Sequence, residues 1–402
     1  MKPVSSDNRV TIYLIADRPL DKRFWSYWVF DLLNEIKSQF VVLQLTYIHD
    51  FLKEIKESIP KDDGRIQVLK FFDENSAMRF LNETTDKQSL VFFYTWAPPN
   101  AYMNVFRLVD KNFGRYYYLM HGVGDNACDH IVIPKKWDKL KILYKKIRFV
   151  IGMMRRFKGP RYWLDSTKMR INAQYPYLGP FGYRTKLIVT GNHFQERYLQ
   201  ATNSERLKSI SRDRKSVLWL DQNLPNVNQF GYKIEVDAGK YYTGLSKIFA
   251  HLNDLGYDVY LTLHPDTQKK DKDILMNQYL KNSAKILEVS SEIACLDADL
   301  ILAHDSTASY FGVLADKPMV NLIYRHLKDK PMIDSILGLS RMLNTPMISY
   351  DESDFEVIDF VNVKVNQSKY NKFKRDFILG DQEGSPHEFM KSLIKKEIES
   401  MI

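Results

Sequence analysis

Three segments place phosphate- and proton-handling residues directly after apolar runs. In LTLHPDTQ (261–268), His264 ends a strand-like run, and Pro265 fixes the backbone behind it. A histidine there can donate to a phosphate or carboxylate, or act as a general acid near neutral pH. A satisfied strand-end histidine beside a turn proline fits the same letters, with Asp266 and Thr267 capping the next helix. In LILAHDSTASYFGVLADKP (300–318), the run ends at Ala303–His304, Asp305 follows, and Ser306–Thr307 open a helix. Two hydroxyls and the free N–H groups of a helix start make an anion site. Ordinary capping by Asp305, Ser306 or Thr307 is the competing reading. Two anion-suited strand ends on neighbouring β-α units favour the functional one. In SVLWLDQNLPN (216–226), Asp221 ends another strand. It reads either as a carboxylate that takes a proton from an acceptor hydroxyl or as a turn aspartate before the loop.

A fourth segment, YYYLMHGVGDNACD (116–129), ends its strand at His121–Gly122. Its G-x-G lacks a third glycine and comes late in the chain, so it is a poor dinucleotide fingerprint. It still suits a loop facing a phosphate or an acceptor. The fifth segment is basic. Residues 133–163 carry eleven Lys and Arg, from Lys135 to Arg161, against the single acid Asp138. Trp137, Leu140, Leu143, Ile147, Ile151 and Met154 recur there at helical spacing. This is the pattern of a basic amphipathic helix on an anionic membrane surface, and equally of a solvated helix packed on its own domain. No nucleic-acid motif accompanies the charge, so nucleic acid is not the expected partner. Asp297 and Asp299 would sit at a helix end and a strand start, poor geometry for a metal, and no metal or other cofactor is expected.

These residues need elements to hold them. The chain has 402 residues, with 45% hydrophobic and 27% charged side chains and a net charge of +9. That length suits two domains of ordinary globular composition. Strand-like runs at 10–16, 40–47, 65–72, 89–96 and 115–122 alternate with helical stretches at 24–38, 51–58, 76–82 and 101–112. The second half repeats the rhythm. Strands are expected at 216–221, 258–264, 285–289, 299–304 and 317–323, with helices at 241–255, 272–280, 292–298 and 306–315. A last amphipathic helix is expected at 386–401. Such alternation means β-α-β units and parallel sheets, with ligands at the strands' carboxyl ends. The polar, basic stretch 206–216 reads as the junction. The expected domains are 1–205, 206–365 and a helical tail, 366–402, packing back on them. Cys128 and Cys295 are in no C-x-x-C pair, there is no signal-peptide layout, and no apolar run is long enough to span a bilayer. A cytoplasmic protein on the inner face of a membrane is expected.

The motif order LWLDQ (218–222), YLTLHPD (260–266) and DLILAHDSTASYFGVLADKP (299–318) resembles bacterial surface-polysaccharide transferases of GT-B architecture. Lipooligosaccharide sialyltransferases and polysialyltransferases are among them. The CDP-glycerol glycerophosphotransferases are similar more loosely, and they carry a His-Gly that His121–Gly122 resembles. The matching motifs span about 100 residues. The resemblance implies an α/β, GT-B-type fold, two Rossmann-like domains facing a central cleft. It implies that His264 and Pro265, with Asp305, Ser306 and Thr307, bind the donor's nucleotide phosphate, and that Asp221 is the base. The families often place a glycine and a second acid beside the base, where this chain has Gln222 and Asn223. The implied activity is an inverting, metal-independent glycosyltransferase. It would move a CMP-activated acidic sugar onto a glycan or lipid-linked acceptor of capsule or lipooligosaccharide, docked at the inner membrane through 135–161. Polyol-phosphate transfer from a CDP donor, a catalytically silent scaffold and a nucleotide-sugar epimerase are the alternatives.

Overall fold

The computed structural model describes residues 10–17, 38–45, 64–84, 89–94, 103–113, 116–120, 162–165, 186–203, 210, 213–226, 228–229, 232–233, 235–264, 267–281, 283–304, 306–354, 358–379 and 384–401. The chain forms two compact units. One comprises Met1–Val123, Pro134–His193 and Leu379–Ile402, the other Gly124–Ile133 and Phe194–Ile378.

In the first unit the apolar runs form β1 (Thr11–Ala16), β2 (Gln39–Gln44), β3 (Ile66–Lys70), β4 (Leu90–Tyr94) and β5 (Tyr116–Met120). Two strands, β6 (Tyr162–Asp165) and β7 (Lys186–Val189), lie where none was expected. Tyr162 and Trp163, read as the end of the basic helical segment, belong to β6. All pairings are parallel, in the order β3-β2-β1-β4-β5-β6-β7. Both faces of the sheet are covered, which is why its central strands are apolar without alternation. On one face α1 (Glu74–Glu83) and α2 (Met103–Asn112) pack Leu81, Phe106 and Val109 on Tyr13, Ile15 and Phe93. On the other, the C-terminal helix Pro386–Glu399 packs Met390 and Ile394 on Ile12, Leu14 and Phe92. The buried Tyr117 hydroxyl donates to the Glu397 carboxylate and ties that helix down.

From Phe194 onward, α3 (His193–Asn203) belongs to the second unit. Phe194 packs edge-on against Tyr310 and Phe311, at 5.1 and 5.3 Å. Arg197 Nε donates to Glu292 at 3.1 Å. The two units therefore meet in sequence before the polar 206–216 stretch, because apolar packing and an ion pair draw α3 forward.

The second unit contains β8 (Lys215–Leu220), a short hairpin of β9 (Asn228–Gln229) and β10 (Tyr232–Lys233), then α4 (Ala238–Asp254) and β11 (Tyr257–Thr262). There follow α5 (Lys269–Ile274), β12 (Lys285–Ile286), α6 (Ser291–Asp297), β13 (Leu300–Ala303), α7 (Ser309–Leu314), β14 (Met319–Tyr324), α8 (Lys330–Leu343) and β15 (Met347–Tyr350). The main sheet is parallel, in the order β12-β11-β8-β13-β14-β15. Counted within the unit this is 3-2-1-4-5-6, the doubly wound order, and the first unit begins with the same order. The order reverses at β8, so the crevice beyond the carboxyl ends of β8 and β13 is where such a sheet takes its ligand.

The amino ends of β8 and β13 are clamped together. Ser216 N and Oγ donate to Asp299 Oδ2 at 2.8 and 3.0 Å, and Asp299 N donates back to Ser216 O at 3.1 Å. Asp299 is a strand clasp. Asp299→Ala leaves the Ser216 donors without their acceptor. It is expected to lower stability by about 1–3 kcal/mol in urea unfolding, without changing the sheet order.

Candidate functional site

At the carboxyl edge of the second sheet, Leu220 pairs with Thr262 of β11 on one side and Ala303 of β13 on the other. Asp221 follows Leu220 directly, His264 lies just past Thr262, and Ser306 and Thr307 lie just past Ala303. The structure thus brings Asp221, His264, Ser306 and Thr307 to the ends of three adjacent strands. Pro265 and Asp305 lie outside the described residues, as do His121, Gly122 and the basic segment 133–161.

Asp221 is only 5% exposed. Its Oδ1 accepts from Asn223 N at 3.1 Å, and Asn223 takes the left-handed φ of 51° to make that turn. Asparagine tolerates this backbone better than most residues. The turn is locked from behind, since Asn226 Nδ2 donates to Asn223 Oδ1 at 3.0 Å and the Tyr242 hydroxyl reaches it at 3.4 Å. Asp221 Oδ2 is buried and has no hydrogen-bond partner among the described residues. Burial pushes the Asp221 carboxyl up to about 6, against the lowering pull of the Asn223 N–H, the Trp219 indole and the His264 and Gln222 N–H groups. A buried carboxylate with one oxygen held and the other without a partner has the chemistry to take up a proton near neutral pH.

The strand-end loops differ from their expected form. The helix after β13 begins at Ser309, not Ser306. Ser306 and Thr307 form its entry turn: Ser306 Oγ accepts from Ala308 N at 3.2 Å, and Tyr310 N donates to Thr307 O at 3.1 Å. Three consecutive cap-forming residues leave the true start open in the sequence, and the turn closes on its own backbone. Past β11, Thr267 N donates to His264 O at 2.9 Å, and the next helix starts behind Gln268 with no side-chain cap. Thr267 therefore does not cap it. Its Oγ1 is buried and has no partner among the described residues. His326 is more than half exposed and lies 3.8 Å from Glu352 Oε2. His193 is buried at the start of α3.

His304, which the sequence marks only as the end of a strand-like run, is fully buried. Its Nδ1 lies 2.6 Å from Leu322 O, its Nε2 2.9 Å from the Tyr241 hydroxyl and 3.4 Å from that of Tyr350. Trp219 meets its ring edge-on at 4.8 Å. Burial holds the imidazole down at about 4, so it is neutral at physiological pH. Among the described residues, no group of side chains has the make-up of a metal site, and no helix is long and apolar enough to cross a membrane.

The wall teichoic acid polymerase TagF superposes over 98% of this chain and 90% of its own, at 13% identity and a TM-score of 0.54. The chain has the GT-B fold. A variant of that polymerase soaked with CDPG superposes over the same shares at 13% identity and a TM-score of 0.50. A UDP-GlcNAc 2-epimerase of Methanocaldococcus jannaschii, in complex with UDP-GlcNAc and UDP, covers 96% of this chain and 100% of its own at 13% identity, with a TM-score of 0.46. No protein-family model and no curated protein matches the sequence. In the GT-B fold of this chain, the strand-end groups of the second unit lie at the point where the sheet order reverses.

Proposed function

We propose that this chain is a glycosyltransferase that moves a sugar from a nucleotide-activated donor, with the second unit holding the nucleotide. The observation that carries the reading is Asp221: a buried carboxylate, one oxygen without a partner among the described residues, at the reversal point of a doubly wound sheet. In this mechanism the acceptor hydroxyl oxygen attacks the anomeric carbon. Its proton passes to Asp221, and the bond from that carbon to the donor's phosphate oxygen breaks. His264 with Pro265, and Ser306 and Thr307 beside Asp305, offset the charge left on the departing nucleotide. No metal is assigned a part, since protein donors hold the phosphate. The motif resemblance favours a CMP-activated acidic sugar, a surface glycan or lipid-linked acceptor, and docking of 135–161 on an anionic inner-membrane surface.

A second reading has one observation behind it, the likeness to the teichoic acid polymerase. There the chain transfers a polyol phosphate from a CDP donor, and His121 is essential. One experiment separates the two. Nucleotide release is measured from CMP-, CDP-, UDP- and GDP-activated donors, with thermal shifts for each nucleotide. Release of CMP from a CMP-sugar, lost in His264→Ala and retained in His121→Ala, supports sugar transfer. Release from CDP-glycerol that His121→Ala abolishes supports the second reading. Turnover and stabilisation with none of the donors sink both.

A further inference from the structure

Thr267 has a hydroxyl that the fold does not use. It stands on the loop that leaves β11, and β11 is the neighbour of β8 in the sheet. Leu220 pairs with Thr262, and Asp221 N donates to Thr262 O at 3.1 Å, so the loop sets out beside Asp221. Thr267 N then donates to His264 O at 2.9 Å. A bond from the fourth residue back to the first closes a turn and holds its two ends within about 7 Å. Thr267 is therefore folded back beside His264 at the strand end.

The ordinary duty of a threonine there is to cap the next helix. That helix starts behind Gln268 with no side-chain cap. Thr267 Oγ1 is instead buried and meets no partner among the described residues. Valine would fill the same space without stranding a hydroxyl, and a stranded hydroxyl is costly until something bonds to it. On the neighbouring strand end, Asp221 is 5% exposed and its Oδ2 is a second buried atom without a partner among the described residues. Two such atoms, at the carboxyl ends of paired strands where the sheet order reverses, point to one ligand edge.

Their chemistry divides the work. An ionised carboxylate only accepts, so Oδ2 suits the acceptor hydroxyl. A hydroxyl also donates, so Thr267 suits a phosphate oxygen. Ser306 and Thr307 follow β13, which flanks β8 on its other side, two strand spacings or about 10 Å from β11. We infer that Thr267 donates its hydroxyl hydrogen to a phosphate oxygen of the bound nucleotide from the β11 side, while Ser306 and Thr307 approach from the β13 side. This rests on the reading of the second unit as the one that holds the nucleotide.

The test is calorimetric binding of CMP, CDP, UDP and GDP, and of their nucleosides, to the whole chain, with urea unfolding of each variant. Thr267→Val keeps the shape and removes the hydroxyl. It is expected to weaken the nucleotide that binds by about 10–100-fold, as loss of a hydrogen bond to a charged group does. The matching nucleoside, which lacks the phosphate, is expected to bind both chains alike. Without nucleotide, the urea midpoint of Thr267→Val is expected to equal or exceed the original, since no protein partner is lost. Thr267→Ser, which restores the hydroxyl, is expected to recover nucleotide binding. A nucleoside whose affinity falls as far as the nucleotide's overturns the inference. So does a Thr267→Val chain with a lower urea midpoint or one that fails to fold, because the hydroxyl then serves the fold. Nucleotide bound as tightly by Thr267→Val as by the original defeats the inference and leaves the donor reading standing. Binding of none of the four nucleotides defeats that reading, and the inference with it.

Discussion

Asp221→Asn is expected to lower transfer by about 10²–10⁴-fold while leaving the protein at least as stable at pH 8. The two halves of that result have one cause. Burial raises the carboxyl from 3.8 to about 6, so folding at pH 8 holds a charge the interior resists. Below about pH 4 the carboxyl is protonated in both folded and unfolded chains, and it contributes no pH dependence. Between about pH 4 and 6 the folded chain binds the extra proton, so stability falls as pH rises, by roughly 3 kcal/mol in all. Asparagine keeps the Oδ1 acceptor for Asn223 N and removes the charge. Its amide lacks a certain partner at the Oδ2 position, which returns about 1–3 kcal/mol. Urea unfolding at pH 4 and at pH 8 reads the difference: relative to the unaltered protein, Asp221→Asn should gain about 3 kcal/mol between the two. A structural aspartate would give the opposite, a loss of about 3–5 kcal/mol at pH 8, as when a buried charge pair is broken.

Asp221 was legible because of where it stands. A run such as VLWLD is apolar up to a single carboxylate, and in a parallel sheet the residue after the run leaves at the ligand-binding edge. The strands of both units followed from the same apolar runs. The sheet order did not, because alternation implies parallel strands without saying on which side of β8 each is laid. Strands β6 and β7 were too short to read, four residues each, with YWLD attached to a basic segment. Helix α8 is a different omission. Asp329 caps it at Met332 N, a proline sits in its first turn, and Asn344 closes it in the left-handed conformation. All three signals stand in DKPMIDSILGLSRMLN, after the last expected strand at 317–323 and before β15, a four-residue strand too short to read.

His304 shows why the buried half of a site is harder to read than the open half. It follows Ala303 by one position and precedes two hydroxyls, so its neighbours point to phosphate binding. Its spacing from Leu302 gives the better signal, since alternation in a strand puts both on the face that α4 covers. That face could be identified only with the register in hand. Tyr241 and Tyr242 likewise read as the apolar stripe of an amphipathic helix. The Tyr241 hydroxyl meets His304, 63 residues later in the chain, and that of Tyr242 meets Asn223, 19 residues earlier.

Gly244→Val should unfold or severely weaken the second unit, and Gly244→Ala should lower both stability and turnover. Gly244 is in the middle of α4, where alanine alone would favour the helix by about 1 kcal/mol. A Cβ there would lie 2.5 Å from Asp351 O and 2.8 Å from Tyr350 Cδ2. The first contact is with backbone, which cannot rotate away, so α4 must lift from β15. Overpacking of this kind costs about 1–3 kcal/mol for one methyl group and more for a branched side chain, enough to exceed the helix gain. The lift displaces the residues that stand under the site. Tyr241 is three positions before Gly244 and Tyr242 two, and their hydroxyls reach His304 and the Asn223 turn that holds Asp221. The expected signature is thus coupled: a lower urea midpoint with an unchanged m-value, and a turnover loss larger than the unfolded fraction explains. Glycines remote from this contact give the contrast. At Gly384 nothing lies within 4 Å of an added Cβ, yet φ is +96°, so alanine there strains the backbone and leaves turnover alone. If Gly244→Ala were as stable and as active as the original, the close packing of α4 on β15 would not be what holds Tyr242 against the Asn223 turn.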